Sequence, residues 1–172
     1  RGGKDKTIIS TRYGTWYAPL HVYPGSATPN GAVTAGLVIS LLRDGAPIHV
    51  DVIGVGGETV GHLESNNIHV VSIAGNEAVS GEKRDKASQK LRFRNLRALI
   101  YWRFRESLDP INGDNIMLPP DQELKADLCS PLWKLTPGGI LIEAKEEIKK
   151  RIGRSPDRGD AVVYCSVNTP KR

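Results

Sequence analysis

Short β-branched runs open the chain and give way to segments of helical spacing. Residues 7–13 (TIISTRY) and 16–23 (WYAPLHVY) carry the β-branched and aromatic side chains that suit a pleated surface. Gly14-Thr15 between them predicts a hairpin, and Pro19 predicts an edge or a bend. Residues 31–43 (GAVTAGLVISLLR) change period. Val33, Leu37, Val38, Leu41 and Leu42 recur at helical spacing, and Asp44-Gly45 ends the segment. Residues 48–55 (IHVDVIGV) and 68–73 (IHVVSI) return to strand character, with a short helix over 58–64 between them. Strand, helix, strand in this order predicts a crossover and parallel pairing. With a hairpin first and parallel strands after, the expectation is an α/β fold: a mixed central sheet flanked by helices.

The second half is more helical and more charged. Residues 74–89 are polar and rich in Gly, Ser and Lys, which predicts a mobile loop over about 74–90. Residues 91–108 read as one long basic amphipathic helix with Leu96, Leu99, Ile100 and Phe104 as its buried stripe. A short helix is expected over 121–129. Residues 133–135 and 140–142 flank Thr136-Pro137-Gly138-Gly139 and predict a second hairpin. Residues 143–152 form a short charged helix. Ser155-Pro156-Asp157 then opens a closing helix, with Ser155 as N-cap, Pro156 at the first position and Asp157 in the first turn. No repeat and no linker interrupts the 172 residues, so residues 1–172 read as a single domain.

Composition narrows the function classes. Charged residues make up 25% and hydrophobic residues 39%, as in a soluble globular domain. No apolar run is long enough to cross a bilayer, so no membrane partner is expected. The opening Arg1-Gly2-Gly3-Lys4 has no apolar core behind it and is not a signal peptide, so the protein is not expected to be secreted. Cys129 and Cys165 lie far apart without CxxC spacing, which indicates neither a zinc site nor a disulfide framework and makes a reducing setting the default. The histidines His21, His49, His62 and His69 show no metal-ligand pairing. Gly54-Val55-Gly56-Gly57 lacks the lysine of a phosphate loop and the spacing of a dinucleotide fingerprint.

Charge adds a partner class. The net charge is +5 and the cations cluster. Lys83, Arg84, Lys86, Lys90, Arg92, Arg94, Arg97, Arg103 and Arg105 crowd one region; Lys145, Lys149, Lys150, Arg151, Arg154 and Arg158 crowd another. Such clusters neutralise phosphates, although either alone is also what a solvated helix face looks like. The candidate contacts to double-stranded DNA are Arg92, Arg94, Lys149, Lys150, Arg154 and Arg158.

Two acidic features supply candidate chemistry. Asp51 sits inside a strand, where an ionised carboxylate is costly unless something positive meets it. Asp157 and Asp160 open the closing helix three residues apart, on neighbouring parts of one face. Read alone, the pair serves equally as helix-end charges or partners of Arg154 and Arg158. If the closing helix packs beside the strand, three carboxylates converge, and like charges so close require a cation. Oxygen ligands without a His/Cys set point to Mg²⁺ or Mn²⁺. Two such ions can activate a water and stabilise the leaving oxygen in phosphodiester cleavage.

These residues carry a resemblance. Arg1-Gly2-Gly3-Lys4-Asp5, Asp51-Val52-Ile53-Gly54-Val55-Gly56 and Ser155-Pro156-Asp157-Arg158-Gly159-Asp160-Ala161, in this order, resemble the C-terminal nuclease domain of the large terminase subunit of tailed bacteriophages. The resemblance covers nearly the whole chain. It implies an RNase H-like fold holding two divalent metals and cutting concatemeric DNA, that is, joined genome copies, during packaging in the host cytoplasm. It also implies an ATPase motor domain in the same protein, with the small terminase subunit and the portal as partners. Asp51 corresponds to the carboxylate of the central strand and Asp157 to that of the closing helix. Asp160 is a nearby carboxylate with an auxiliary role, and Asp5 a peripheral one. The family's first acidic ligand lies on a first strand just before the stretch matched by residues 1–5. On this reading that strand is truncated here, and the chain alone binds metal poorly. Two other readings stay open: a non-catalytic DNA-binding or docking module using the basic helix, and another RNase H-like nuclease such as a junction resolvase.

Overall fold

The computed structural model describes residues 6–53 and 56–168. The hairpin region is two ladders rather than one. Strands β1 (Lys6–Ile9) and β4 (His21–Pro24) pair antiparallel, Ile8 opposite Val22, while β2 (Arg12–Tyr13) and β3 (Trp16–Tyr17) form the tip. Each predicted long strand breaks once, the second around Pro19, whose missing N–H cannot continue a ladder. Strands β5 (Ile48–Asp51) and β6 (Val70–Ile73) pair in parallel across helix α2 (Gly56–Ser65), as the crossover predicts. Strands β7 (Trp133–Thr136) and β8 (Gly139–Ile142) make the second hairpin.

The helices are set by their caps. Asn30 opens α1 (Gly31–Leu41) by accepting from the Val33 amide at 3.0 Å. Asp121 opens α4 (Gln122–Cys129) by accepting from the Glu123 and Leu124 amides. Gly153, left-handed at φ 77°, closes α5 (Lys145–Ile152). Helix α3 (Leu96–Ser107) starts five residues later than its periodicity suggests, because Asn95 caps it on the Ala98 amide. The five residues before it form no helix, and Phe93 among them makes an isolated bridge to Ile140. The closing helix α6 (Asp157–Cys165) starts one residue late: Pro156 has a non-helical ψ of 49° and Ser155 caps no amide.

The core lies where α3 and α6 meet β6 and β8. It is built from Ile73, Ala98, Ile100, Trp102, Phe104, Ile140, Ile142, Val162 and Val163 among others. The face of α3 that is buried is therefore wider than the expected stripe: Leu96 and Leu99 are only half-buried, whereas Arg97, Tyr101 and Trp102 are inside. Helices α1 and α2 pack tightly enough that a Cβ on Gly31 would sit 2.6 Å from the Glu58 carbonyl carbon. The apolar stripe read on α1 stays largely at the surface; Val33 is exposed, and Val38 and Leu41 line a cleft. Residues 74–95 form no helix or long strand, and buried Asp85 ties them from within. It accepts from the amides of Ser88, Lys90 and Leu91, which holds its carboxyl down at about 2. Among the described residues, no helix is long and apolar enough to cross a membrane.

The mixed pairing is thus present, but as separate ladders. Among the described residues, β1 pairs only with β4 and β5 only with β6. Helix α6 packs against both β1 and β5. Between them opens a cleft of about 1870 Å³ walled by these two strands and floored by Asp157, Asp160, Ala161 and Tyr164.

The end of β5 depends on one glycine. The expected strand over 48–55 stops at Asp51, Gly54 and Val55 lie outside the described residues, and α2 begins at Gly56. A Cβ on Gly56 would overlap the Asp51 carbonyl. Gly56→Ala is therefore expected to cost about 2–3 kcal/mol in urea unfolding, in the upper part of the range for overpacking. A cost below the effect of an ordinary surface change would show that the turn relaxes freely.

Candidate active site

Asp51 ends β5 half-buried, with its Oδ1 accepting from the Ile53 amide at 3.1 Å. Its surroundings explain its titration. Burial raises its pKa, and the Ile53 amide and Lys145 only partly offset that; Asp160 nearby adds to the rise. A carboxylate with a raised folded pKa favours folding most below its unfolded pKa and loses that contribution as pH rises through the folded value. The metal-free Asp51→Asn variant should therefore melt higher than the parent at pH 7, by about 1–3 °C because solvent screens a group this exposed. The difference should vanish below about pH 4. Equal melting temperatures at both pH values would contradict this.

Asp157 lies on the same cleft, at the start of α6. Ser155, expected to cap the helix, instead donates its hydroxyl to Asp157 Oδ1 at 2.6 Å. Lys145 Nζ stands 3.0 Å from that oxygen and 3.1 Å from Asp160 Oδ2. Its ammonium bridges the two carboxylates, and although burial opposes its charge, Asp160 and Asp157 raise its pKa above the usual lysine value. By sequence Lys145 is one cation of a general basic cluster. Its sign was visible there, but its facing two acids fifteen and twelve positions away was not.

Asp160 points inward. It is 4% exposed, and its Oδ1 accepts from Arg97 at 2.8 Å and from the Tyr101 hydroxyl. Burial pushes its pKa up, but Arg97 and Lys145 outweigh that and hold it below the ordinary carboxylate value. The same burial, with Asp160 beside it, raises Tyr101 well above a free phenol. The structure thus brings Asp157 and Asp160 to one lysine, with Asp51 near enough to feel both Lys145 and Asp160. Among the described residues, no three His, Cys, Asp or Glu side chains gather as a ready-made metal cage. Of the three carboxylates expected to converge on a cation, Asp157 and Asp160 share one here, and it is the Lys145 ammonium.

The oxygen-only donor set nevertheless suits a hard cation. Such an ion is commonly held by one or two carboxylates and fills its shell with water and phosphate oxygens. Asp51 and Asp157 provide two carboxylates on one cleft, at a place where the fold already stabilises positive charge through Lys145.

The candidate DNA contacts divide. Arg94 and Lys149 are exposed, and Lys149 lines the cleft. Arg92 is exposed and pairs with Glu82 at 2.9 Å, and Lys150 pairs with Glu147 at 2.7 Å, contacts that water weakens. Arg154 is engaged with buried Asp127, and Arg158 with Asp121 and with Glu123 at 3.0 Å. Arg158 on α6 and Arg154 just before it tie this end of the chain to α4. Arg97, read as part of the first basic cluster, is buried and paired. Asp5 lies outside the described residues.

No family model and no curated protein matches the chain. Solved structures do. The chain superposes on a mutant nuclease domain of the large terminase subunit gp2 of bacterial virus Sf6, solved with manganese and beta-thujaplicinol. The TM-score is 0.72 at 20% identity, covering 98% of this chain and 84% of that one. The mutant domain with calcium gives 0.72 at 20% identity, over 97% and 84%. Another structure of that nuclease domain gives 0.68 at 21% identity, over 98% and 84%. With its mixed strand pairing, its flanking helices and its carboxylates on one cleft, the chain has the RNase H-like α/β fold of the phage large terminase nuclease domain.

Proposed function

We propose that the chain is the endonuclease domain of a phage large terminase subunit, a metal-dependent phosphodiester hydrolase that cuts concatemeric DNA during genome packaging. On this reading it works in the host cytoplasm, next to an ATPase motor domain of the same protein, and meets the small terminase subunit and the portal. The observation that carries the reading is Asp51 and Asp157 on one cleft of a terminase-nuclease fold, with Lys145 drawn to the acids.

Asp51 and Asp157 are the proposed metal ligands, with Asp160 auxiliary behind them. Mg²⁺ or Mn²⁺ bound there supplies Lewis-acid polarisation of the phosphodiester and a more acidic water. Two ions require oxygens beyond Asp51 and Asp157, from the DNA phosphate or further carboxylates. The chain's own contributions are distinct. Ser155 orients Asp157 through its hydroxyl. Lys145 keeps Asp157 and Asp160 from repelling each other. Exposed Arg94 and Lys149 are the contacts proposed for the phosphate backbone, with Arg92 and Lys150 recruited from weak surface pairs. Arg154 and Arg158 can reach DNA only by leaving the carboxylates of α4.

The test is Mn²⁺ titration by calorimetry together with nicking of supercoiled plasmid. A saturable Mn²⁺ site of low affinity and slow Mn²⁺-dependent nicking are expected. The Lys145 ammonium standing between Asp157 and Asp160, where a cation was expected, favours a second reading, a DNA-binding module without catalysis. DNA binding with no saturable Mn²⁺ site would decide for it.

A further inference from the structure

We propose that Arg97 is the positioning residue of the carboxylate site: by occupying the inner oxygen of Asp160 it directs the outer oxygen to Lys145, and so sets Lys145 against Asp157. The inference rests on the endonuclease reading for its catalytic consequence, but its geometry stands independently.

Arg97 is 9% exposed on α3. Its own backbone is fixed, because its amide donates to the Gly75 carbonyl at 2.9 Å. Gly75 allows that approach; a Cβ there would lie 3.2 Å from both the Arg97 Cβ and the Tyr164 hydroxyl. The guanidinium then spreads over three partners. Nη1 donates to Asp160 Oδ1 at 2.8 Å and to the Tyr164 hydroxyl at 3.3 Å, and Nη2 donates to the Tyr101 hydroxyl at 3.2 Å. The Tyr101 ring lies beneath the guanidinium carbon at 4.4 Å. Tyr101 in turn donates to the same Asp160 oxygen.

Two donors therefore meet on Oδ1, one of them charged, and Asp160 cannot rotate without breaking both. Only Oδ2 remains for Lys145, at 3.1 Å, and the ammonium completes the path 3.0 Å from Asp157 Oδ1. A planar fork with several donors can hold an oxygen, a phenol and an aromatic face together; a single ammonium cannot. This separates the acids of the cleft into a nearly buried carboxylate, which anchors the lysine, and the more accessible Asp51 and Asp157. Supporting groups of this kind affect activity without touching substrate.

The test uses the full chain. The ammonium protons of Lys145, held between two carboxylates, should exchange slowly enough to give a nitrogen-detected NMR signal, identified by its loss in Lys145→Met. Arg97→Gln keeps a donor but not the charge or the fork and should abolish that signal, while Arg97→Lys should restore it in part. In nicking assays Arg97→Gln should lower kcat by about 10- to 100-fold with KM for plasmid unchanged. A Lys145 signal of unchanged exchange rate in folded Arg97→Gln overturns the proposal. If that variant does not fold, as judged by circular dichroism, Tyr101→Phe takes its place. It removes the second donor to the same oxygen without unpairing a charge, and should speed exchange; an unchanged rate again overturns the proposal. A parent protein that shows the Lys145 signal, loses it in Arg97→Gln, and yet shows no Mn²⁺-dependent nicking would refute the endonuclease reading and leave the positioning of Lys145 by Arg97 intact.

Discussion

Asp51→Ala and Asp157→Ala are each expected to abolish Mn²⁺-dependent plasmid nicking, with losses of about 10³-fold or more. A bound metal contributes several kcal/mol of charge stabilisation in the transition state, and each factor of ten in rate corresponds to about 1.4 kcal/mol. The two residues reach the cleft from different elements, one from the end of β5 and one from the start of α6, so neither can replace the other. Stability separates this effect from misfolding. Asp51 is a half-buried carboxylate whose ionisation opposes folding, so its removal should not lower the melting temperature of the metal-free protein. Asp157 loses ion and hydroxyl contacts on a side chain only 17% exposed, so the melting temperature of its variant is measured beside its activity. Calorimetry should show the saturable Mn²⁺ signal lost in both. Undiminished nicking by either variant would remove that residue from the site.

Asp160→Ala should act on the fold first. Its carboxylate faces Arg97, which is 9% exposed, and its loss leaves that guanidinium buried without a counter-charge. Breaking a buried pair by deleting one partner costs about 3–5 kcal/mol, far above the effect of a surface ion pair. For a chain of this length that is a fall in melting temperature of about 6–20 °C. Because folding lowers the Asp160 pKa, its stabilisation is in force above the pKa of an unfolded aspartate and is lost as pH falls through the folded value. The gap between parent and variant should accordingly narrow in acid. Removing both charges, in Asp160→Ala with Arg97→Met, should recover part of the loss, because the unpaired charge is gone. A double variant less stable than Asp160→Ala by the full effect of Arg97→Met alone would show that the two residues are not coupled.

Elements whose order depends on nearest neighbours were readable. The parallel pairing of β5 with β6 follows from strand, helix, strand in sequence, and the β7–β8 hairpin from its Pro-Gly-Gly turn. Boundaries set by a single hydrogen bond were not. Residues 91–95 have helical periodicity, but Asn95 competes for the Ala98 amide and Phe93 finds a place against β8, so α3 starts at Leu96. Ser155 has the chemistry of a cap, yet its hydroxyl meets the Asp157 carboxylate, an interaction that local propensity cannot rank.

The same division runs through the site. Sequence by itself determined the α/β order, the acids Asp51, Asp157 and Asp160, the oxygen-only donor set and the excess of cations, because each is a matter of composition or of spacing along one element. Only the tertiary structure decided what each charge faces. It buried Arg97 against Asp160, gave Arg154 and Arg158 to the acids of α4, and placed Lys145 between two carboxylates. The reason is that a charge is worth little until its desolvation and its partner are known, and both depend on which helices lie side by side.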